Sequence, residues 1–491
     1  MPSILGANSS SGYELPNSLR LSKDSATYVY KDFDDTGTLN TKGTFSWWNK
    51  IYQSSGDMYM MSVRNDSNPE EHIHIRYQNP MLQGQFYKSS SQYAQIITTN
   101  VFRDFSAWYH FVLKMDSTDG TANNRIKLFV NGTEVSYATR SMPDQNQDFI
   151  ISKVATHQFG NHYSGTGSHF DGGIADVHFI DGLALAPTAF AETDDNDQWV
   201  PIAYTGAYGD HGYRLEFRQT GTSQNAAGIG ADTSGNGNHF AVNSLAALDV
   251  VADTPTNNFA NLVPVNNISL SEGNTKVVTT RQGYWDAVHS SIGVTSGKWY
   301  FEVKASLSDD TFRVAAGVAG DPEQFTILFN GLGATGDPLS TLSATYPFYG
   351  KGVWLEHWYN ADHDDSTTAA AQSSGDILQF ALDMDNYKLW VGVNGQFKAS
   401  NNNDVSYSDI AAGNNATVTI SSAAYTNKTF FPSIWIRDDQ DADDNVAEIN
   451  FGNPSNSISS GNSDFAGIGN FEYVPPSGFF AICTKNLAQY G

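Results

Sequence analysis

Apolar and polar side chains alternate in short runs along the chain, and each run stops at a cluster of Gly, Asn, Asp or Ser. "RIKLFV" (125 to 130) puts Ile126, Leu128 and Val130 on one face of an extended segment and Lys127 and Phe129 on the other, the pattern of a half-buried strand. Asn131 and Gly132 follow, and "TEV" resumes the strand. The same arrangement returns in "NYKLWVGVNGQF" (386 to 397). A two-residue type I′ turn needs positive φ at both central positions, which Asn and Gly adopt most cheaply, so both stretches predict antiparallel hairpins. No window sustains a 3.6-residue apolar period. The chain therefore reads as nearly all β, in the manner of sandwiches.

At 491 residues the length predicts two to four domains. With 52 acidic against 27 basic residues, the net charge of −25 repels phosphate backbones and anionic lipid, which argues against nucleic acid as a partner. Cys483 is alone, so no intramolecular disulfide forms, and no Cys/His spacing fits zinc. The opening "MPSILGANSSSGYELP" has no basic n-region or apolar stretch, and no apolar run is long enough to span a bilayer. The expectation is a soluble protein without membrane insertion, made in a cytoplasm and released by a route other than general secretion.

Several ordered segments carry a resemblance. Ser18 to Leu21, Phe45 to Trp48, Trp108 to His110, Val130 to Gly132 and Gly173 to Val177 resemble the successive strands of the LamG-type concanavalin A-like jelly roll. Gly297 to Val303, Gly375-Asp376, Leu382-Asp383, Asn394-Gly395, Phe431-Pro432 and Asn450 to Gly452 are similar to the strand signatures of a SPRY domain. The resemblance implies an all-β chain of two concanavalin A-like sandwiches: a LamG-like jelly roll over 1–185, a connecting β unit over 186–285, a SPRY domain over 286–455 and a C-terminal segment over 456–491. It also predicts Trp47, Trp108, Trp299 and Trp390 on strands. LamG-plus-SPRY chains of this order resemble proteins of bacteriophages, particularly marine ones.

Catalytic signatures are sparse. A glycosidase of this fold needs paired carboxylates, and the nearest string, Glu192, Asp194 and Asp197, falls in the acidic connector "ETDDNDQWVP". Gly331, Gly333 and Gly336 have phosphate-loop spacing, but Pro338 follows and no helix pattern opens. Histidines fall in two groups, His72 with His74 on one strand face, and His157, His162, His169 and His178. Without carboxylates or thiolates at ligand spacing they read as surface or interface residues rather than metal ligands. Asp439, Asp441 and Asp443 alternate like the first ligands of a calcium loop, yet Asp444 replaces the turn Gly, so a solvated hairpin tip is the simpler reading and calcium the alternative. Tyr346, Tyr349, Trp354, Trp358 and Tyr359 lie between strands, where flat rings can stack on sugars or instead cover the core.

That resemblance to bacteriophage proteins implies a non-enzymatic virion surface protein, assembled in a host cytoplasm as a homo-oligomer with other virion proteins. Its sandwich loops would bind host glycans as an adhesin or fibre-like component. The alternative is a capsid or tail decoration protein whose sandwiches bind other virion subunits. The absence of a coiled-coil shaft raises that alternative.

Overall fold

The computed structural model describes residues 12–53, 56–65, 67–162, 168–265, 267–279, 285–306, 314–320, 350–354, 357–359, 374–401, 403–419, 429–437 and 445–491. The chain is 46% strand and 5% helix, the proportion that short alternating runs without helical periodicity dictate. It divides into two compact units at residue 258. Among the described residues no helix is long and apolar enough to cross a membrane.

The first unit holds a two-stranded sheet, Ala191–Thr193 with Trp199–Pro201, and two eight-stranded antiparallel ones. One is ordered Thr133–Glu134, Ile126–Val130, Trp108–Asp116, Lys42–Ile51, Gly172–Asp181, Ser18–Leu21 and Val250–Val251, with Tyr213–Leu215 also paired to Gly172–Asp181. The other is ordered Tyr137–Ser141, Ser91–Thr98, Met81–Lys88, Asn68–Gln78, Asp57–Asn65, Ala155–Phe159, Tyr28–Phe33 and Ala241–Asn243. Between them Phe45, Trp47, Phe111, Ile73, Ile75, Phe86 and Ile126 form one core. Full burial of each such side chain contributes about 1.5–3 kcal/mol.

In the second unit, Lys298–Ser306, Ile377–Asp383 and Lys388–Val393 are adjacent central strands of a ten-stranded sheet. Trp285–His289, Phe430–Arg437, Val314–Gly320, Gly350–Trp354 and His357–Tyr359 form a five-stranded one. Trp299, Phe301, Val303, Leu378, Phe380, Leu382 and Leu389 point into the core. The alternate residues Tyr300, Ala381 and Trp390 point the other way and are covered by Phe471, Phe479 and Cys483. All four tryptophans expected on strands are there.

The two Asn-Gly turns are built alike. Asn131 and Gly132 have φ of 45° and 79°, and Asn394 and Gly395 have 46° and 89°. Each Asn also ties the turn to the preceding strand, its Oδ1 accepting from the backbone N–H of His110 at 2.8 Å or of Ile377 at 3.0 Å. An aromatic ring closes over each Gly. A Cβ on Gly132 would stand 2.8 Å from Trp199, and one on Gly395 3.0 Å from Tyr473.

The segment 186–285, expected as a separate connecting unit, is divided between the sandwiches. Tyr213–Leu215, Ala241–Asn243 and Val250–Val251 pair into the sheets of the first. A buried ion pair, Lys50 Nζ to Asp253 at 2.8 Å, fastens the end of this stretch. Ile268–Ser271 and Lys276–Thr279 extend the ten-stranded sheet of the second. Residues 456–491 also belong to the second sandwich, where Phe480–Ala481 lies parallel to Lys298–Ser306.

Candidate functional site: a polar ladder on the first sandwich

Strand Asn68–Gln78 alternates strictly, so Ile73, Ile75 and Tyr77 enter the core while His72, His74 and Arg76 take the opposite face of the sheet. Register carries this face sideways. One row reads Tyr30, Gln158, Ser62, His74, Gln85 and Gln95, each opposite the next. The neighbouring row reads Asp32, Thr156, Arg64, His72, Tyr87 and Gln92. At the usual interstrand spacing, six strands span about 24 Å.

The rows are bonded along their length. His74 Nε2 lies 3.0 Å from Gln85 Oε1, Gln85 Nε2 donates to Gln92 Oε1 at 2.9 Å, and Tyr87 Oη donates to the same oxygen at 3.0 Å. Gln158 Nε2 donates to Ser62 Oγ at 2.8 Å. His72 is stacked between His74 and Tyr87, with centroids at 5.5 and 4.6 Å, and Tyr59 packs against both His74 and His162. Arg76 donates to Asp57 at 2.8 Å and to Gln83, and lies 5.8 Å over the Tyr59 ring.

Electrostatically the ladder is close to neutral. Burial, with His72 and Arg76 nearby, lowers the His74 pKa from 6.5 to about 3, so its imidazole is uncharged. Burial lowers His162 and His169 as well. The carboxylates at the ladder's ends are already engaged, Asp57 by Arg76 and Asp32 by Thr156 Oγ1 at 2.7 Å. Amides, hydroxyls and neutral imidazoles both donate and accept, and rings flank them. Ser62, His72, His74, Thr156 and Gln158 are buried beneath their neighbours, and the accessible members, Tyr30, Gln85, Tyr87, Gln92 and Gln95, suit a ligand that is itself a row of hydroxyls.

The six histidines singled out in the sequence separate. His72 and His74 are buried at 5% and 2% exposure rather than lying on the surface, because neighbouring side chains cover their rings. His162 and His169 belong to the same side of the sheet, His169 stacking on Tyr28. His157 is in the core among Phe33, Phe45 and Phe179, bonded to Tyr213 Oη. His178 lies on the other sheet, 3.1 Å from Asp176, whose second partner is Arg214.

That other sheet holds a buried Ser46–His110 contact of 2.8 Å. Trp199 Nε1 donates to His110 Nδ1 at 3.0 Å, so Nε2 carries the proton and donates to Ser46. A base for Ser46 would need that nitrogen free, so the pair is not an activated nucleophile. Asp194 braces its own turn, accepting from the N–H groups of Asn196 and Gln198 at 2.9 Å. Trp354, Trp358 and Tyr359 lie on a described hairpin, Val353 opposite Trp358 and Gly352 opposite Tyr359. Tyr346, Tyr349, Asp439, Asp441, Asp443, Gly331, Gly333 and Gly336 fall outside the described residues. No cluster of three metal-ligating side chains occurs among the described residues.

Sequence reading reached His72 and His74 but missed Tyr59, Arg76, Gln85, Tyr87 and Gln158. The signal was present in "QGQFYK" (83 to 88), where Gln83, Gln85 and Tyr87 alternate with core positions as the histidines do.

Residues 24–188 match the family model of the concanavalin A-like lectin/glucanases superfamily. Among solved structures the chain is similar to the SPRY domain of human HERC1, at 13% identity over 37% of this chain and 91% of that one, TM-score 0.25. It is similar to a putative carbohydrate binding protein from Bacteroides ovatus, at 15% identity over 47% of this chain and 59% of that one, TM-score 0.31. It is also similar to the CBM40 of a Ruminococcus gnavus IT-sialidase bound to α2,3-sialyllactose, at 16% identity over 33% and 94%, TM-score 0.25. No curated protein matches. Residues 24–188 of the first unit thus carry the match to a concanavalin A-like lectin/glucanase domain, and the chain as a whole is nearly all β, built of sandwich sheets.

Proposed function

We propose that the first sandwich is a carbohydrate-recognition module that takes its ligand across the polar ladder, and that the chain is a non-enzymatic adhesin. The observation that carries this reading is the register of two rows of six positions on the face away from the core, hydrogen-bonding or aromatic throughout and charged only at Asp32 and Arg64. The lectin/glucanase match over 24–188 supports it. Binding without hydrolysis is supported by the engagement of Asp32 and Asp57, the described carboxylates at the ladder's ends, in bonds to Thr156 and Arg76. The LamG-then-SPRY order supports placement on a virion surface, with Trp354, Trp358 and Tyr359 as a second contact segment.

The test is a glycan array of neutral and acidic oligosaccharides probed with the full chain, followed by calorimetry on the hits. Replacing Gln85 and Tyr87 together with Ala should weaken binding about tenfold or more. The melting temperature should stay within a few degrees. A silent array, or unchanged affinity in the variant, overturns the glycan reading. Release of reducing ends overturns the non-enzymatic one, and capture of capsid or tail subunits with a silent array favours decoration.

A further inference from the structure

The second unit carries an open groove of about 940 Å³ bounded by Tyr407, Phe465, Glu472, Tyr473 and Val474. Phe465 and Val474 are 68% and 55% exposed, a large apolar surface to leave in water unless something covers it. The rest of the frame is firmly held. Buried Glu302 accepts from the N–H of Glu472 at 3.0 Å and of Tyr473 at 2.9 Å. Asp464 accepts from the N–H groups of Ala466, Ile468 and Ala481 and from Asn486, each within 2.8 Å. A groove fixed in this way is formed before any ligand arrives, so ordering it adds little to the cost of binding.

Its chemistry is one-sided. Three aromatic rings face the space together with the Glu472 carboxylate, and none of the described lining residues is basic. Ser459 and Ser460 hydroxyls and the Ser459 N–H donate to that carboxylate and keep it below the usual carboxylate range, so it is ionised at neutral pH. Aromatic faces beside a fixed anion attract a cation that has apolar neighbours.

We propose that this groove docks an extended peptide segment of a partner protein that presents an arginine between apolar side chains, the guanidinium meeting Glu472 and the apolar residues covering Phe465 and Val474. Short extended segments commonly dock in aromatic-lined grooves of this form. The second unit would then attach the chain to a protein while the first recognises its ligand.

The test uses the full chain and fluorescein-labelled capped hexapeptide pools, with Arg, citrulline or Glu fixed at one position and apolar residues at its neighbours. Anisotropy should show binding of the Arg pool alone, weakening as salt rises. Glu472→Gln should lower affinity about tenfold. Phe465→Ser with Val474→Ser should abolish binding, with the melting temperature unchanged within about 2 °C because both side chains are exposed. Equal binding of the citrulline or Glu pools, binding that survives the double variant, or failure of every Arg pool to bind overturns the proposal. Displacement of the peptide by a glycan that binds the first unit overturns it as well.

Discussion

Acid should unfold the first sandwich at a pH the second tolerates. Three of its histidines, His74, His110 and His157, are buried, and burial lowers each from 6.5 to about 3. A histidine with a folded pKa below its unfolded one binds fewer protons when folded throughout that window. Stability is therefore full above the unfolded value and falls as pH drops toward the folded one. Between about pH 7.5 and pH 5 each ring forfeits about 2 kcal/mol, and the three together at most about 6 kcal/mol. That is comparable with the whole stability of many domains, and it corresponds to a melting temperature lowered by about 12–24 °C. In the second unit, burial lowers His289 but raises Glu302, and these act with opposite sign on acidification. Calorimetry of the full chain at the two pH values should show one transition moving far more than the other. Hydrogen exchange read by mass spectrometry assigns the mobile one to residues 12–258. His157→Asn should remove about a third of the pH dependence whatever it does to absolute stability. Two transitions that move in parallel, or a first-unit transition that stays put, would refute the reasoning.

Further outcomes follow from local geometry. Gly132→Ala should destabilise by about 1–3 kcal/mol, because a Cβ there meets both a positive φ and the Trp199 ring, and urea unfolding measures it. Trp390→Ala, at a fully buried position whose Nε1 donates to Asn414 O at 2.8 Å, should cost about 3–5 kcal/mol by the same assay. Removing Trp354 and Trp358 together should abolish attachment to cells or partner subunits with little change in melting temperature; a large fall in stability would instead identify the rings as core.

Much of the fold was legible because strand alternation and Asn-Gly turns are local. Ile126, Leu128 and Phe129 took the faces that their spacing assigned, and both turns adopted the backbone their residues favour. What the residue pattern could not place was the short strands of distant origin. Ala241–Asn243 pairs with Tyr28–Phe33 and Val250–Val251 with Ser18–Leu21, partnerships of three and two residues that leave no periodic mark. The connector was therefore read as a unit of its own. The ladder was half legible for a related reason. His72 and His74 announce one strand's outer face, but which strands lie beside it is a matter of register. His157 and His178, close in sequence to His162 and His169, turn inward or onto the other sheet because each strand alternates independently.

The parallel pairing of Phe480–Ala481 with Trp299 and Tyr300 has a consequence for how the protein is made. Central strand Lys298–Ser306 leaves the ribosome long before the residues that cover its outer face. At 5–20 residues per second the interval is on the order of ten to forty seconds. Until then Tyr300, joined by Ala381 and Trp390 once they are made, stands uncovered by Phe471, Phe479 and Cys483. The second sandwich can close only after synthesis has passed residue 481, whereas the first has all of its strands in hand by residue 251. Between residues 251 and 481 the nascent chain thus holds one sandwich complete and one unfinished, and it is the unfinished one that a chaperone would recognise.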